Sequence, residues 1–407
     1  MWDLLAFTMQ MVLVLVTGHV LATAPPIFRL IERLAAWPQS GRGAVALVTL
    51  FALASSWFNW GFSLIFSAVL AREIARRRPD ADYRALGAAS LLGLGSIWAQ
   101  GLSGSAALQM ATPSALPSAI RDIVAHHGLV ANGIIDFRHT IFLWQSLLSV
   151  AIEIVVVTLV MWRIAPRPEH VQNAAALGVS LAAPPPLEEP PSFRPALEHS
   201  FLLLALVAAL GAAAIGRAFY ARGLQGLTLN NINLALLSAG MLLHRTPARL
   251  MHAVREATPS VWSVILQFPF YAGIAAIIVS SHLHEKIAHF FVSIATPRTF
   301  PALMASYSAL LGLFVPSGGS KWIIEAPYVM QAAHDLHVHV GWVVACYDLG
   351  EALANLIQPF WMLPVLALLG LRARDVMGYT FLIFLVLTPL VLLMTTVLGA
   401  TLPYPLG

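Results

Sequence analysis

Charge is what this sequence has least of. Only 10% of its 407 residues are Asp, Glu, Lys or Arg, against about 25% in a soluble domain. That excludes an ordinary wettable surface, and 58% of the residues are hydrophobic. Cysteine is nearly absent: the single Cys346 excludes an intrachain disulfide and any cysteine-based metal cluster. The fourteen histidines include no HExxH or comparable zinc spacing. The net charge of +4 comes mostly from arginines in short connecting loops. That is the pattern of membrane orientation signals and not of a nucleic-acid surface. No basic stretch precedes the first apolar run, so that run reads as a retained helix and not a cleaved signal.

Long apolar runs are what the sequence has in abundance. Each is near or above the length that crosses a bilayer core as a helix. Because irregular backbone cannot face lipid, many such runs imply a helical bundle. The expected fold is an all-α polytopic membrane protein with about ten transmembrane helices. Spans are expected at 4–24, 44–71, 85–101, 140–163, 200–219, 229–244, 259–281, 300–316, 340–371 and 376–400. Residues 102–120 and 317–333 are too broken by Gly, Ser and Pro to cross as ordinary helices, and are expected to be re-entrant hairpins. Residues 164–198 form a Pro-rich, polar connector expected to be mobile. It separates a first half, 1–163, from a second, 199–407.

The halves echo one another. FNWGFSLIFSAVLARE, from Phe58 to Glu73, matches FYAGIAAIIVSSHLHE, from Phe270 to Glu285, at Phe58/Phe270, Gly61/Gly273, Ile65/Ile277 and Glu73/Glu285. SGSAALQMATP begins at Ser103, 42 residues after Gly61; SGGSKWIIEAP begins at Ser317, 44 residues after Gly273. Gln145 and Gln358 fall further on in corresponding spans. Five crossings between the first span and its counterpart at 229–244 would invert the second half. Arg72, Arg76, Arg77, Arg78 and Arg84 then place the loop at 72–84 in the cytoplasm, and its counterpart at 282–298, with only Lys286 and Arg298, outside, although Arg29, Arg33, Arg372 and Arg374 also fall outside.

Paired broken segments in an inverted repeat point to a transporter's binding site. Glycine permits a tight turn and close backbone approach. The helix that follows offers unpaired N–H groups and a positive dipole end, suited to a carboxylate. The candidate substrate-binding residues are therefore Ser103, Gly104, Ser105, Ser317, Gly318, Gly319, Ser320, Lys321 and Trp322, with Trp322 and Phe314 packing an alkyl tail. Turned-out hairpin carbonyls are a candidate Na⁺ site. Lys321 and Glu325, at i and i+4, share a helical face and are expected to pair. Charge at membrane depth is by default a candidate for substrate, ion or proton handling. Glu325 is thus a coupling candidate, or half of a structural ion pair with Lys321.

Asn59, ahead of Gly61, marks a possible helix break. Asp348, Glu351, Asn355 and Gln358 fall on one span, the last three spaced to share a pathway-lining stripe. His19 reads as a packing residue. Asp136, Arg138 and His139 read as a solvated boundary. Two rival readings exist. Gly101-Leu102-Ser103-Gly104 fits the GxSG pattern of an intramembrane serine protease, which needs a base beside the serine, and no histidine occupies mid-span after it. A passive anion channel needs a continuous wet path, and the spans repeat no polar face.

MQMVLVLVTGHVLATAPP, NWGFSLIFSAVLAREIARR, NINLALLSAGMLLHRTP, LQFPFYAGI, FVPSGGSKWIIEAPYVMQAA and QPFWMLPVLALLGLRARDVMGY together resemble the AtoE-type short-chain fatty acid transporter family. The likeness covers nearly the whole chain except the connector. It implies a non-enzymatic bacterial inner-membrane carrier without a cofactor, moving butyrate, acetoacetate and similar monocarboxylates with H⁺ or Na⁺. A homodimer in the lipid bilayer is a further expectation. The wider ion-transporter group to which the family is similar binds anions at two re-entrant hairpins. Family members usually carry a further span before the MQM segment, which here is missing.

Overall fold

A computed structural model describes residues 5–113, 115–116, 118–126, 130, 132–181, 195–315 and 317–406. All regular structure among these residues is helical. The helices in chain order begin with α1 (Leu5–Ala22), α2 (Pro25–Ala35), α3 (Gly41–Phe58), α4 (Trp60–Arg77) and α5 (Tyr83–Leu91). A 3₁₀ turn at Ile97–Gln100 leads to α6 (Ser105–Ala111), α7 (Ser118–His126) and α8 (Trp144–Ile164). After the connector come α9 (Pro195–Glu198), α10 (Phe201–Arg222), α11 (Leu229–His244), α12 (Pro247–Ala257), α13 (Trp262–Ser280) and α14 (Leu283–Ile294). The chain closes with α15 (Phe300–Gly312), α16 (Gly318–Asp335), α17 (Val340–Asn355), α18 (Leu363–Leu369) and α19 (Ala373–Gly399).

Local chemistry sets several of these starts. Ser40 accepts from the Gly43 N–H at 3.1 Å and opens α3. The Asp82 carboxylate accepts from Arg84 and Ala85 and opens α5. Thr246 accepts from Arg249, with Pro247 fixing the first turn of α12. Each is a side-chain oxygen on an N–H that the helix cannot satisfy itself.

Among the described residues five helices, α1, α3, α8, α10 and α19, are long and apolar enough to cross a membrane. Leucines on α10 and α19 such as Leu206, Leu210, Leu385 and Leu393 are exposed, as a lipid-facing surface requires. The apolar α13 is 19 residues long, whereas several other expected spans are divided. The run 44–71 breaks at Asn59, whose backbone is extended between α3 and α4. The run 85–101 becomes α5 and the 3₁₀ turn, and 340–371 ends its helix at Asn355 before α18. The segment 317–333 is not internally broken. It is one continuous helix, α16, with Pro327 inside it. The first polar segment is instead two short helices, α6 and α7.

The connector also differs from expectation. Its first part is tied down: Gln172 donates to the Asp82 carboxylate at 2.9 Å, and Arg76 Nε donates to the Leu181 carbonyl. Residues 182–194 lie outside the described residues.

The core is organised around α17, all of whose residues are buried. It lies against α15, α16, α6 and the turn Ile97–Gln100. Gly350 makes the α15 contact possible, because a Cβ there would strike the Ala305 carbonyl. Close backbone approach of this kind is how helices pack in membranes without a hydrophobic driving force.

Candidate functional site

The two Gly/Ser clusters meet. Ser103 ends the turn whose hydroxyl accepts from the Trp60 N–H at 3.0 Å, fixing the start of α4. Gly104 then immediately precedes α6, and Ser317 immediately precedes α16. The Gln109 amide on α6 donates to the Gly319 carbonyl at 2.8 Å. A Cβ on Gly318 would lie 3.5 Å from Ser105 Cβ and 3.1 Å from both the Trp98 ring and Glu351 Cγ. Glycine suits the position because side chains from three elements converge on it, leaving little room for a larger residue.

The two helix starts are not equivalent. At α6, Asp348 Oδ2 accepts from the Ala106 N–H at 2.9 Å and from Ala107 at 3.4 Å. A protein carboxylate therefore already occupies the N–H groups that the sequence suggested for substrate. At α16 no side chain caps the helix. The Ser317 and Ser320 hydroxyls bond one another. The opening N–H groups of this helix have no intrahelical acceptor, and this end of the dipole is positive.

That end of α16 borders a narrow chamber of about 30 Å³, room for about one water. Ser105, Ser317, Gly318, Gly319, Glu351 and Asn355 supply its polar side. Met11, Leu15, Trp60, Leu94, Trp98 and Trp361 supply its apolar side. The indole N–H of Trp98 and Oδ1 of Asn355 are buried without a hydrogen-bond partner, an uncommon condition for buried polar groups. Leu15, Trp60 and Trp361 also border a second cavity of about 530 Å³, lined further by His19, Leu64, Glu256, Trp262 and Phe360. Trp60 and Trp361 meet edge-on, with ring centroids 5.3 Å apart, in the wall between the two spaces.

Lys321 is 1% exposed. Its ammonium pairs with Glu351 on α17 and donates to the Ser308 carbonyl at 2.7 Å. The expected partner was Glu325, which instead accepts from the Tyr347 hydroxyl. Helical spacing allowed Lys321 to meet Glu325, but the long side chain reaches across to α15 and α17. Tyr307 and Tyr328 share a hydroxyl hydrogen bond of 2.8 Å beside Glu325. Trp322 is fully buried against Tyr347, at 4.8 Å between centroids, and does not line the chamber. Phe314 is 77% exposed and is no part of an alkyl pocket.

Other expected positions separate in the same way. Asn59 caps α4, accepting from Phe62 at 2.8 Å, while its Nδ2 is buried without a partner. Glu351 and Asn355 line the chamber, but Gln358 falls beyond the end of α17 and accepts from Phe360. The three therefore form no continuous stripe. His19 lies 3.9 Å from Glu256 and lines the larger cavity. Asp136 and Arg138 form an ion pair at 2.7 Å, with Arg138 exposed, as a solvated boundary requires. Trp60, Trp98 and Trp361 are chamber residues that sequence reasoning missed; tryptophan in an apolar chain looks like core until its neighbours are known.

Discontinuous helices, long apolar helices with exposed leucines and a chamber of mixed lining define a multi-pass membrane protein. A model of the family "Short chain fatty acid transporter" matches residues 1–398. A protein of Escherichia coli (strain K12), described as a candidate short-chain fatty acid transporter, is 38% identical over 93% of this chain and 83% of its own length. One from Haemophilus influenzae with the same description is 35% identical over 94% of this chain and 85% of its own. This chain belongs to the short-chain fatty acid transporter family. Its relatives are transporters and not enzymes, and they come from bacteria, consistent with the inner membrane. The fold is also that of two solved transporters. The YdaH transporter of Alcanivorax borkumensis gives a TM-score of 0.56 at 17% identity, over 98% of this chain and 86% of that one. The Neisseria gonorrhoeae efflux pump MtrF gives 0.56 at 14% identity, over 97% and 81%.

Proposed function

We propose that the chain is a secondary carrier for small monocarboxylates such as butyrate and acetoacetate, coupled to H⁺ or Na⁺ and working by alternating access. The observation that carries this reading is the uncapped start of α16, opening on a chamber with tryptophan walls. The carboxylate accepts from the Gly318 and Gly319 N–H groups, the Ser317 hydroxyl and the indole N–H of Trp98. The short alkyl chain lies against Trp60, Met11 and Leu15. Lys321 acts indirectly, holding Glu351 at the chamber's edge.

Two physical points support coupling. An incoming monoanion is opposed by a negative-inside potential at roughly 2.3 kcal/mol per 100 mV. It also meets the carboxylate of Glu351 at the chamber, so a cation entering with it offsets repulsion at both stages. Alternating access is supported by the chamber's size: butyrate is larger than one water, so the Trp60–Trp361 wall must move to admit it. The halves 1–163 and 199–407 act as an inverted pair in this reading, joined at the two Gly/Ser helix starts. The test is uptake of labelled butyrate and acetoacetate into proteoliposomes under an imposed proton or sodium gradient. Accumulation names the coupling ion. Equilibration without accumulation points to a passive facilitator and contradicts coupling.

A further inference from the structure

Glu153 lies midway along the 21-residue α8 and is fully buried. Gln100 Nε2 donates to its Oε1 at 2.7 Å, while Oε2 has no partner. Gln100 Oε1 and the Ser149 hydroxyl, one turn earlier on α8, are also buried and unpartnered. The elements packed on α8 are α3, α19 and the turn Ile97–Gln100. On α3 the charged group is Arg42, whose Nε donates to the Ala165 carbonyl just beyond the end of α8. On α19 Arg374, Asp375 and Tyr379 fall in the first two turns. Gln145, at the start of α8, bonds Thr401, beyond the end of α19. The two helices therefore run antiparallel, which puts those three groups at the far end of α8 from Gln145. The turn itself carries no ionisable side chain. Among the described residues no cation faces Glu153 at mid-membrane depth.

An ionised carboxylate in such surroundings is costly by several kcal/mol unless it is neutralised. Its sole hydrogen-bond partner belongs to the segment that builds the chamber. Trp98, two residues before Gln100, lines it. Gly101 through Ser105, directly after Gln100, form the first Gly/Ser loop. The same turn packs against α17, which carries Asp348 and Glu351.

We propose that Glu153 is the binding site of a coupling proton, and that its protonation state sets the position of the segment from Trp98 to Ser105. This rests on the carrier reading given above. The carboxylate takes H⁺ from water on one side as COO⁻ + H⁺ → COOH, and releases the same proton on the other. One proton moving with one monocarboxylate makes transport electroneutral. Gln100 is a positioning residue, passing the change at Glu153 to the loop.

The test compares wild type with Glu153→Gln, which mimics the protonated acid, in proteoliposomes. Exchange of internal for external labelled butyrate is expected to persist in Glu153→Gln, while accumulation driven by a pH gradient falls at least tenfold. Glu153→Asp is expected to restore accumulation with a displaced pH profile. Infrared difference spectra of the purified protein provide a reading independent of transport. A band from a protonated carboxyl in a dry site is expected in wild type, lost as pH rises, and missing in Glu153→Gln. Undiminished accumulation by Glu153→Gln, or a band that ignores both pH and the substitution, overturns the proposal. If wild type accumulates nothing under any gradient, the carrier reading fails, and the infrared band still decides whether Glu153 exchanges a proton.

Discussion

Lys321 shows how burial converts a surface-type pairing into a structural commitment. Its ammonium and the Glu351 carboxylate are both essentially removed from solvent, so removing one leaves the other unpaired. Lys321→Ala is expected to cost about 3–5 kcal/mol, whereas Lys321→Met combined with Glu351→Gln recovers most of that loss. Thermal unfolding in detergent measures both, and equal destabilisation of single and double variants contradicts the pairing. Asp348 is a second case, a carboxylate serving as the cap of α6 across a long sequence interval. Asp348→Ala is expected to destabilise by about 1–2 kcal/mol and to speed hydrogen exchange at the Ala106 and Ala107 amides; unchanged exchange there rejects the capping role. The sequence made the polar residues near Ser103 and Ser317 legible because polarity is rare in so apolar a chain. Partner choice was not legible. Helical spacing offers Glu325 to Lys321, and only the tertiary approach of α17 brings Glu351 closer.

At the level of elements, apolar runs foretold helices well and helix breaks poorly. The break at Asn59 was readable, since an Asn before Trp-Gly in an apolar run is a natural cap for α4. The continuity of α16 was not, because Gly318, Gly319 and Pro327 all argue against a helix by propensity. Two features reconcile them with it. The glycines occupy the first turn, where Gly318 lies close to Trp98 and Glu351 and Gly319 close to Phe7 and Gln109, and burial on nearly every side supports the rest. Packing also explains why the run 340–371 ends its helix at Asn355, where the Asn355 Nδ2 turns to the Leu94 carbonyl. The α15–α17 contact yields a prediction of its own. Gly350→Val inserts a side chain against the Ala305 backbone and is expected to cost at least about 1–3 kcal/mol, read as a lowered melting temperature. A neutral result means that α15 and α17 do not approach as closely as described.

For the whole molecule, membrane class and family were legible almost throughout, whereas orientation depends on loop charge alone. Placing the arginine-rich end of α4 and the turn that follows it, residues 72–84, in the cytoplasm makes a direct prediction. The lone Cys346 is buried, so a cysteine introduced by Arg77→Cys is the reactive thiol. An impermeant maleimide is expected to label it in inside-out vesicles and not in intact spheroplasts; the reverse pattern inverts the orientation. The central claim concerns the start of α16, and equilibrium binding of labelled butyrate to purified protein tests it most directly. Gly318→Val places side-chain atoms against Trp98, Glu351 and Ser105, while Gly378→Val meets nothing within 4 Å and serves as the control. Binding is expected to weaken at least tenfold in Gly318→Val and to stay at the wild-type level in Gly378→Val, with both proteins monodisperse. Wild-type affinity in a well-folded Gly318→Val contradicts a carboxylate site at this helix start.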